Sequence, residues 1–169
     1  MSRLFCVYHH CENGNGDNAR MATRTLSTNS PEPIICEPTK AEFAWIEDQL
    51  SMAARLMADD PQPGTLAALD RAFAAWAFEE PCDVTFVNHV INAVGIAFGK
   101  RLVDGLHLRW VVATDEYGSD LAVYRLKGTA NALLYPANFV AKRWERRETF
   151  FLEASFLAVA KSVESILGS

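Results

Sequence analysis

Apolar side chains recur at three- and four-residue spacing in two stretches of the first half of the chain, a pattern typical of helices with one buried face. The first stretch follows Thr39-Lys-Ala-Glu42, which has the form of a capping box, and stops before Asp59-Asp60-Pro61. The second begins after Thr65, a helix-capping residue, and stops at Glu79-Glu80-Pro81. The two predicted stripes consist of Phe43, Ile46, Leu50, Ala53 and Met57, and of Leu66, Leu69, Phe73 and Trp76.

A third helix is predicted over roughly Asp83–Asp104, and it is apolar around most of its circumference. Such a helix is buried on more than one side. Gly95 and Gly99 lie one turn apart, so we expect a strand or another helix to approach closely there. Gly105 is expected to take the left-handed conformation after the helix end. His89, among apolar neighbours, is expected to be a hydrogen-bonded core histidine.

Alternation of apolar and polar positions predicts strands after this helix. Leu106–Ala113 alternates, Asp115–Gly118 suits a type I turn, and Leu121–Leu126 alternates again. His107 is expected on the solvent face of its strand. Asn131–Tyr135 completes a three-stranded antiparallel meander, after which Pro136 suits the first position of a helix.

Two apolar stripes near the C-terminus are out of phase with each other, one on Phe139, Val140 and Trp144 and the other on Leu152–Ile166. We expect a bend near Arg147–Thr149 between two helices, and one long helix is the alternative. Strands grouped between runs of helices favour an α+β fold with about five helices, the meander lying between the third and the fourth.

The first 38 residues differ in composition from the rest, with a polar, glycine-rich run at Asn13–Asn18. We interpret residues 1–38 as a disordered tail and residues 39–169 as a single domain. Met21 begins a second plausible opening, so translation from Met1 and translation from Met21 are both open. Cys6, His9, His10 and Cys11 have zinc-ligand chemistry but not zinc-site spacing, and we interpret them as a chance cluster. No cofactor or metal is expected.

The composition limits the classes of function. The 169 residues suit one domain, and a formal net charge of −5 argues against nucleic-acid wrapping or binding to anionic membranes. No stretch has the roughly 20 apolar residues of a membrane span or the pattern of a signal peptide. The four cysteines form no dense framework, so we expect free thiols and a cytoplasmic protein.

Two charged clusters are candidates for binding. Asp115, Glu116 and Asp120 gather at the predicted hairpin turn and could hold a cation or a basic partner, although turn chemistry alone explains Asp115. In Lys142–Arg147, like charges are repeated at i and i+4, which predicts a compensating anion near Arg143, Arg146 and Arg147.

The anion near Lys142–Arg147 has two candidate sources. Residues 39–83 hold three basic and nine acidic side chains, whereas residues 84–169 hold ten basic and eight acidic ones. This asymmetry favours an internal source among the acids of the first two helices: Glu47, Asp48, Asp59 or Asp60. An external phosphate, nucleic-acid strand or acidic protein surface is the alternative.

Several short motifs resemble a known family. Asn92-Ala-Val-Gly95-Ile-Ala-Phe-Gly99, Leu108-Arg-Trp110-Val-Val, Asp115-Glu-Tyr-Gly118, and Tyr135-Pro136 followed by Lys142-Arg143 are similar to a small bacterial domain of unknown function. The resemblance spans about Val84–Glu148. It implies a bacterial source and a helix–hairpin–strand–helix core, and it carries no activity, cofactor or catalytic residue.

No catalytic template fits the sequence: it has no dinucleotide fingerprint, phosphate loop or nucleophile elbow. We therefore expect a non-catalytic binding or regulatory module, of immunity type, that engages another protein. The alternative is a small enzyme in which Asp115, Glu116 and Asp120 converge with Arg109, Arg125 and Arg143 on one pocket. A concave site of about 300 Å³ or more between those groups would favour the enzyme.

Overall fold

A computed structural model describes residues 32–80, 83–127 and 130–167. These residues form five helices and one four-stranded sheet, which confirms the α+β class. In chain order the elements are β1 (Ile34–Cys36), α1 (Lys40–Leu56), α2 (Leu66–Phe78), α3 (Val84–Leu106), β2 (Arg109–Asp115), β3 (Gly118–Lys127), β4 (Ala130–Leu134), α4 (Pro136–Glu145) and α5 (Leu152–Leu167).

The sheet is antiparallel with strand order β1-β2-β3-β4, so the predicted count of three strands is wrong. The additional strand is β1, which pairs Ile34 with Thr114 and Cys36 with Val112. Three residues are too few to display the two-residue alternation of a strand, and the prolines on both sides are typical of a loop. β1 falls within the segment interpreted as a tail; residues 1–31, with Met21 and the Cys6–Cys11 cluster, lie outside the described residues.

Helix starts follow their capping signals. In α1 the Glu42 N–H donates to Thr39 Oγ1 at 3.4 Å and the Thr39 N–H donates to Glu42 Oε2 at 2.6 Å, which confirms the capping box. Thr65 caps α2 by accepting from the Ala68 N–H at 3.0 Å. Pro136 is the first residue of α4. The break between α4 and α5, Arg146–Phe151, contains the expected bend.

Three expectations about α3 and its end are wrong. Gly105 is helical, and His107 instead adopts the left-handed conformation with φ 53°, because α3 continues to Leu106 before it is capped. His107 is therefore exposed in the cap and not within a strand. His89 is exposed, because α3 is completely enclosed only from Val90 to Ile96 and its first two turns are largely open to solvent.

The close approach expected at Gly95 and Gly99 is confirmed. A Cβ at Gly95 would lie 2.5 Å from the Cα of Ala137, and one at Gly99 would lie 2.3 Å from the Trp110 ring. These distances are shorter than any van der Waals contact, so only glycine lets α3 touch the backbone of α4 and the indole from β2. This contact places α4 across α3.

A buried carboxylate fixes α5 against α2. Asp70 is only 4% exposed, and its two oxygens accept the Leu152 N–H at 3.0 and 3.1 Å. Asp70 Oδ2 also accepts the Glu153 N–H at 3.2 Å. These N–H groups belong to the first turn of α5, where they have no partner within the helix and where the helix dipole favours negative charge. Asp70 thus sets where α5 begins.

Substituting Gly95 with Ala should destabilise the fold although alanine is the better helix former by about 1 kcal/mol. The new methyl would meet backbone of α4 that cannot move without displacing the helix. We expect the free energy of unfolding, measured by urea denaturation, to fall by about 2 kcal/mol or more. Gly105→Ala is the control, because its Cβ would meet only the end of the Phe156 ring. Equal stability of the two variants would contradict the close-contact argument.

Substituting Asp70 with Ala should lower the free energy of unfolding by about 2–4 kcal/mol, because it leaves buried N–H groups of α5 without an acceptor. Asp104→Ala is the matched control, since Asp104 is exposed and, within the described ranges, its one ion-pair partner is Lys100 at 2.6 Å. Its cost should stay below about 1 kcal/mol. Similar losses in the two variants would mean that Asp70 does not anchor α5.

Candidate functional site

The predicted acidic cluster lies at the turn between β2 and β3. Asp115 pairs with Gly118 across the hairpin, and its Oδ1 accepts the Tyr117 N–H at 2.8 Å. Glu116 is exposed at the tip. Asp115 therefore serves the turn, as its sequence position indicates.

Asp120 lies apart from the tip, where β3 passes the first turn of α4. Its carboxylate accepts a hydrogen bond from Asn138 Nδ2 at 3.2 Å. Burial raises the pKa of Asp120, and the negative charge of Asp115 raises it further. Among the described residues, no group of three or more His, Cys, Asp or Glu side chains is arranged to hold a metal ion.

Arg109 and Arg125 lie at the other end of the hairpin from these acids. Arg109 forms an ion pair with Glu37 and lies 5.6 Å from the centre of the Tyr124 ring. Arg125 donates to the Leu106 carbonyl at 3.0 Å. Because Arg109 and Asp115 are the two ends of β2, they are separated by about 20 Å. The structure does not bring these arginines and the acidic turn together.

Two of the three predicted arginines, Arg143 and Arg146, come together on one acid at the C-terminal end of α4. Arg143 contacts Glu148 at 3.1 Å and Arg146 approaches the same carboxylate at 3.9 Å. The compensating acid is therefore a neighbour in sequence, whereas we expected Glu47, Asp48, Asp59 or Asp60. Asp60 instead pairs with Arg71 at 2.8 Å, and this contact lowers the pKa of Asp60 to about 2.

The chain leaves α4 through a Schellman motif, which places Arg147 in an unusual conformation. The Glu148 N–H donates to the Arg143 carbonyl and the Arg147 N–H to the Trp144 carbonyl, both at 2.9 Å. Arg147 occupies the left-handed position of this motif with φ 57°, where glycine is usual. Its guanidinium lies 5.1 Å from the centre of the Trp144 ring.

Beside this motif lies a cavity of about 260 Å³, which we call the aromatic pocket. Small side chains on α2 leave the space, and aromatic rings from α2, α4 and the α4–α5 connection border it. Phe78 and Phe150 form its rim and are 89% and 63% exposed. Phe150, like Arg147, has a positive φ of 57°. The pocket is lined by Ala74, Ala77, Phe78, Trp144, Arg147, Glu148, Thr149 and Phe150.

The wall of the aromatic pocket that contains Trp144 belongs to a packed aromatic cluster. The Trp144 and Trp76 rings are 4.6 Å apart, and Phe73 lies 5.6 Å from both Trp76 and Phe151. Such contacts add to the energy of area burial and resist rearrangement. With Asp70 holding the start of α5, the pocket is built on a rigid base.

Sequence reasoning identified Arg147 but missed Phe78, Phe150 and the pocket itself. The two walls come from segments about seventy positions apart in the chain, and periodicity within one segment cannot show that they meet. One signal was available: Phe150 and Phe151 are adjacent large side chains directly after the bend predicted near Arg147–Thr149. The structure buries Phe151 and exposes Phe150.

A second cavity of about 140 Å³ lies where α1, α2 and α3 meet, with Leu50, Met57 and Leu69 among its lining residues. Neither this cavity nor the aromatic pocket is lined by Asp115, Glu116, Asp120, Arg109, Arg125 or Arg143. The two cavities therefore offer no setting in which those acids and bases meet.

Replacing Asp120 with Asn should leave the protein at least as stable as the wild type at neutral pH. A carboxyl whose pKa is raised by folding is most favourable below its unfolded pKa of about 3.9, and this contribution is lost as the pH rises through the folded pKa. Asparagine removes the buried charge and still accepts from Asn138. Thermal unfolding measured from pH 3 to 7 should show the melting temperature of the variant rising relative to that of the wild type as the pH increases. A relative increase for the wild type would contradict this prediction.

Comparison with known proteins adds a family match but no activity. Residues 79–156 match the model described as Domain of unknown function (DUF3806). No protein with a curated description and no solved structure matches the chain. Within the described ranges, none of the helices combines the length and apolar character needed to cross a bilayer. The match begins directly after Phe78, so it includes Trp144–Phe150 of the aromatic pocket but not its α2 wall. The resemblance expected from the sequence motifs is confirmed: from residue 79 to 156 the chain is similar to a domain of unknown function.

Proposed function

We propose that this protein is a non-catalytic binding module that engages another protein through the aromatic pocket. The observation that carries the proposal is the pocket with its two exposed phenylalanines. Ligand sites for small molecules usually have about 300–1,000 Å³. A cavity of about 260 Å³ is smaller, and it suits one large apolar side chain presented by a partner.

The exposed rim supports a protein partner. Phe78 and Phe150 present large apolar surfaces to water, and aromatic side chains of this kind supply much of the binding energy in protein interfaces. An anchor inserted between them would remove both rings from solvent at once. Two exposed phenylalanines beside one cavity thus form an apolar surface whose burial by a partner would be energetically favourable.

Charges around the pocket resemble the polar rim of an interface. The segment 142–148 holds four basic residues (Lys142, Arg143, Arg146 and Arg147) and two acidic ones (Glu145 and Glu148), a formal charge of +2. The rest of the chain is acidic, since the whole carries −5. A positively charged edge on an otherwise acidic protein favours binding of a partner with an acidic surface, and it orients that partner as it approaches.

A regulatory or immunity-like role in the cytoplasm of a bacterial cell fits such a module by analogy. The sequence resemblance implies the bacterial source, and the lack of a dense cysteine framework supports a reducing compartment.

Filling the pocket tests the proposal. Ala77 lines the pocket, whereas Ala75 is exposed on the same helix and does not. A library of short random peptides displayed on phage should enrich, on the wild-type protein, peptides that carry a large apolar residue. Ala77→Trp should bind those peptides at least about tenfold more weakly, because the indole occupies the cavity, and Ala75→Trp should bind them as the wild type does.

Thermal unfolding of both variants separates binding from folding. If Ala77→Trp unfolds at the wild-type temperature and loses binding, the pocket is the binding site. If no peptide is enriched, or if the enriched peptides bind all three proteins equally, the proposal is wrong.

A further inference from the structure

Resting on the proposed function, the geometry points to a more specific partner: we infer that Arg147 binds a carboxylate next to the anchor, so that the recognised segment is acidic on one side of its apolar residue. Arg147 lines the aromatic pocket, and its position, its stacking and its lack of an acidic partner all bear on this role.

The backbone at Arg147 favours glycine. Arg147, which follows the last turn of α4, has φ 57°, a conformation in which the Cβ of an L-residue crowds the following carbonyl. An ordinary Schellman motif avoids this cost with glycine. The backbone conformation here is therefore less favourable for arginine than for glycine. Residues held in strained conformations are often found at functional sites.

The side chain of Arg147 is held in place but not neutralised. Its guanidinium lies over Trp144, a contact that orients the planar group, and the residue as a whole is exposed. Among the described residues, Arg147 forms no ion pair. Nearby Glu148 is engaged by Arg143, which is only 15% exposed and packs on the Phe139 ring at 4.7 Å. Arg146 is exposed as well, but it does not line the pocket, so Arg147 is the arginine placed to meet a partner there.

The end of α2, which supplies the other wall of the pocket, carries charge of the opposite sign. Glu79 and Glu80 follow Phe78 directly and are exposed. An acidic residue placed on that side of the anchor would meet like charges, whereas one placed on the other side would meet Arg147. A planar guanidinium can bind a carboxylate through two parallel hydrogen bonds. The partner segment therefore carries Asp or Glu on one flank of the anchor and a neutral or basic residue on the other.

The peptides enriched on the wild-type protein test this directly. We expect a consensus of one large apolar residue with acid on a single flank. Arg147→Gly should weaken binding of such a peptide about tenfold in titration calorimetry, and replacing its acid with the amide should weaken binding to the wild type equally. In the double change the two losses should not add.

Two further variants separate recognition from folding. His107→Gly relieves the same left-handed conformation, φ 53°, at the end of α3 and should leave peptide affinity unchanged. Arg147→Lys should retain part of the preference for an acidic residue, since lysine keeps the positive charge but lacks the planar guanidinium that makes two parallel hydrogen bonds. Arg147→Gly should not lower the melting temperature, because glycine suits the backbone.

The outcomes distinguish the two proposals. Enriched peptides with an apolar anchor but no acid, or acidic peptides that bind Arg147→Gly as tightly as the wild type, overturn the role of Arg147 and leave the pocket as a binding site. A fall in melting temperature of Arg147→Gly with unchanged affinity assigns Arg147 to the fold and also overturns the inference. Failure to enrich any peptide overturns both proposals.

Discussion

The contact between α3 and α4 at Gly95 determines how α4 and the segments that follow it are positioned on α3. Because no side chain intervenes, the backbone of Ala137 rests on α3, and Gly99 accepts the Trp110 ring in the same groove. Helix α3 is thereby packed tightly against both the sheet, through β2, and the next helix, α4. The far end of α4, with Trp144 and Arg147, is positioned as a consequence. Asp70 fixes the start of α5 against α2, and the aromatic pocket lies between the C-terminal end of α2 and the end of α4 with the segment that follows it.

Local signals in the sequence predicted much of this fold because they act within a few residues. The Thr39–Glu42 capping box, Pro136 and the Asp115–Gly118 hairpin each satisfy backbone groups close in the chain, so their structures follow from short motifs. β1 was missed because its three residues are ordered by pairing with a strand more than seventy positions away. The end of α3 was misplaced because glycine was assumed to be necessary where His107 suffices.

The candidate site was harder to predict for a related reason. Charged side chains are conspicuous in a sequence, so the acidic turn and the basic helix are both predicted from it. In the structure, however, Asp115 and two arginines of the basic segment have partners close in the chain. Arg143 and Arg146 use Glu148, and Lys100 uses Asp104. A pocket that depends on the alanines of α2 and two outward-facing phenylalanines is formed by tertiary packing and by small residues, which no motif marks.

The shortness of β1 has a consequence for how this protein meets others. An edge strand offers unpaired N–H and C=O groups to any extended chain, and β1 lies at an edge of the described sheet. Pro33 precedes it and Pro38 follows it by two residues, and proline cannot donate to a growing ladder. A foreign strand could therefore register against only a very short stretch. Association by sheet extension is therefore disfavoured at this edge of the sheet.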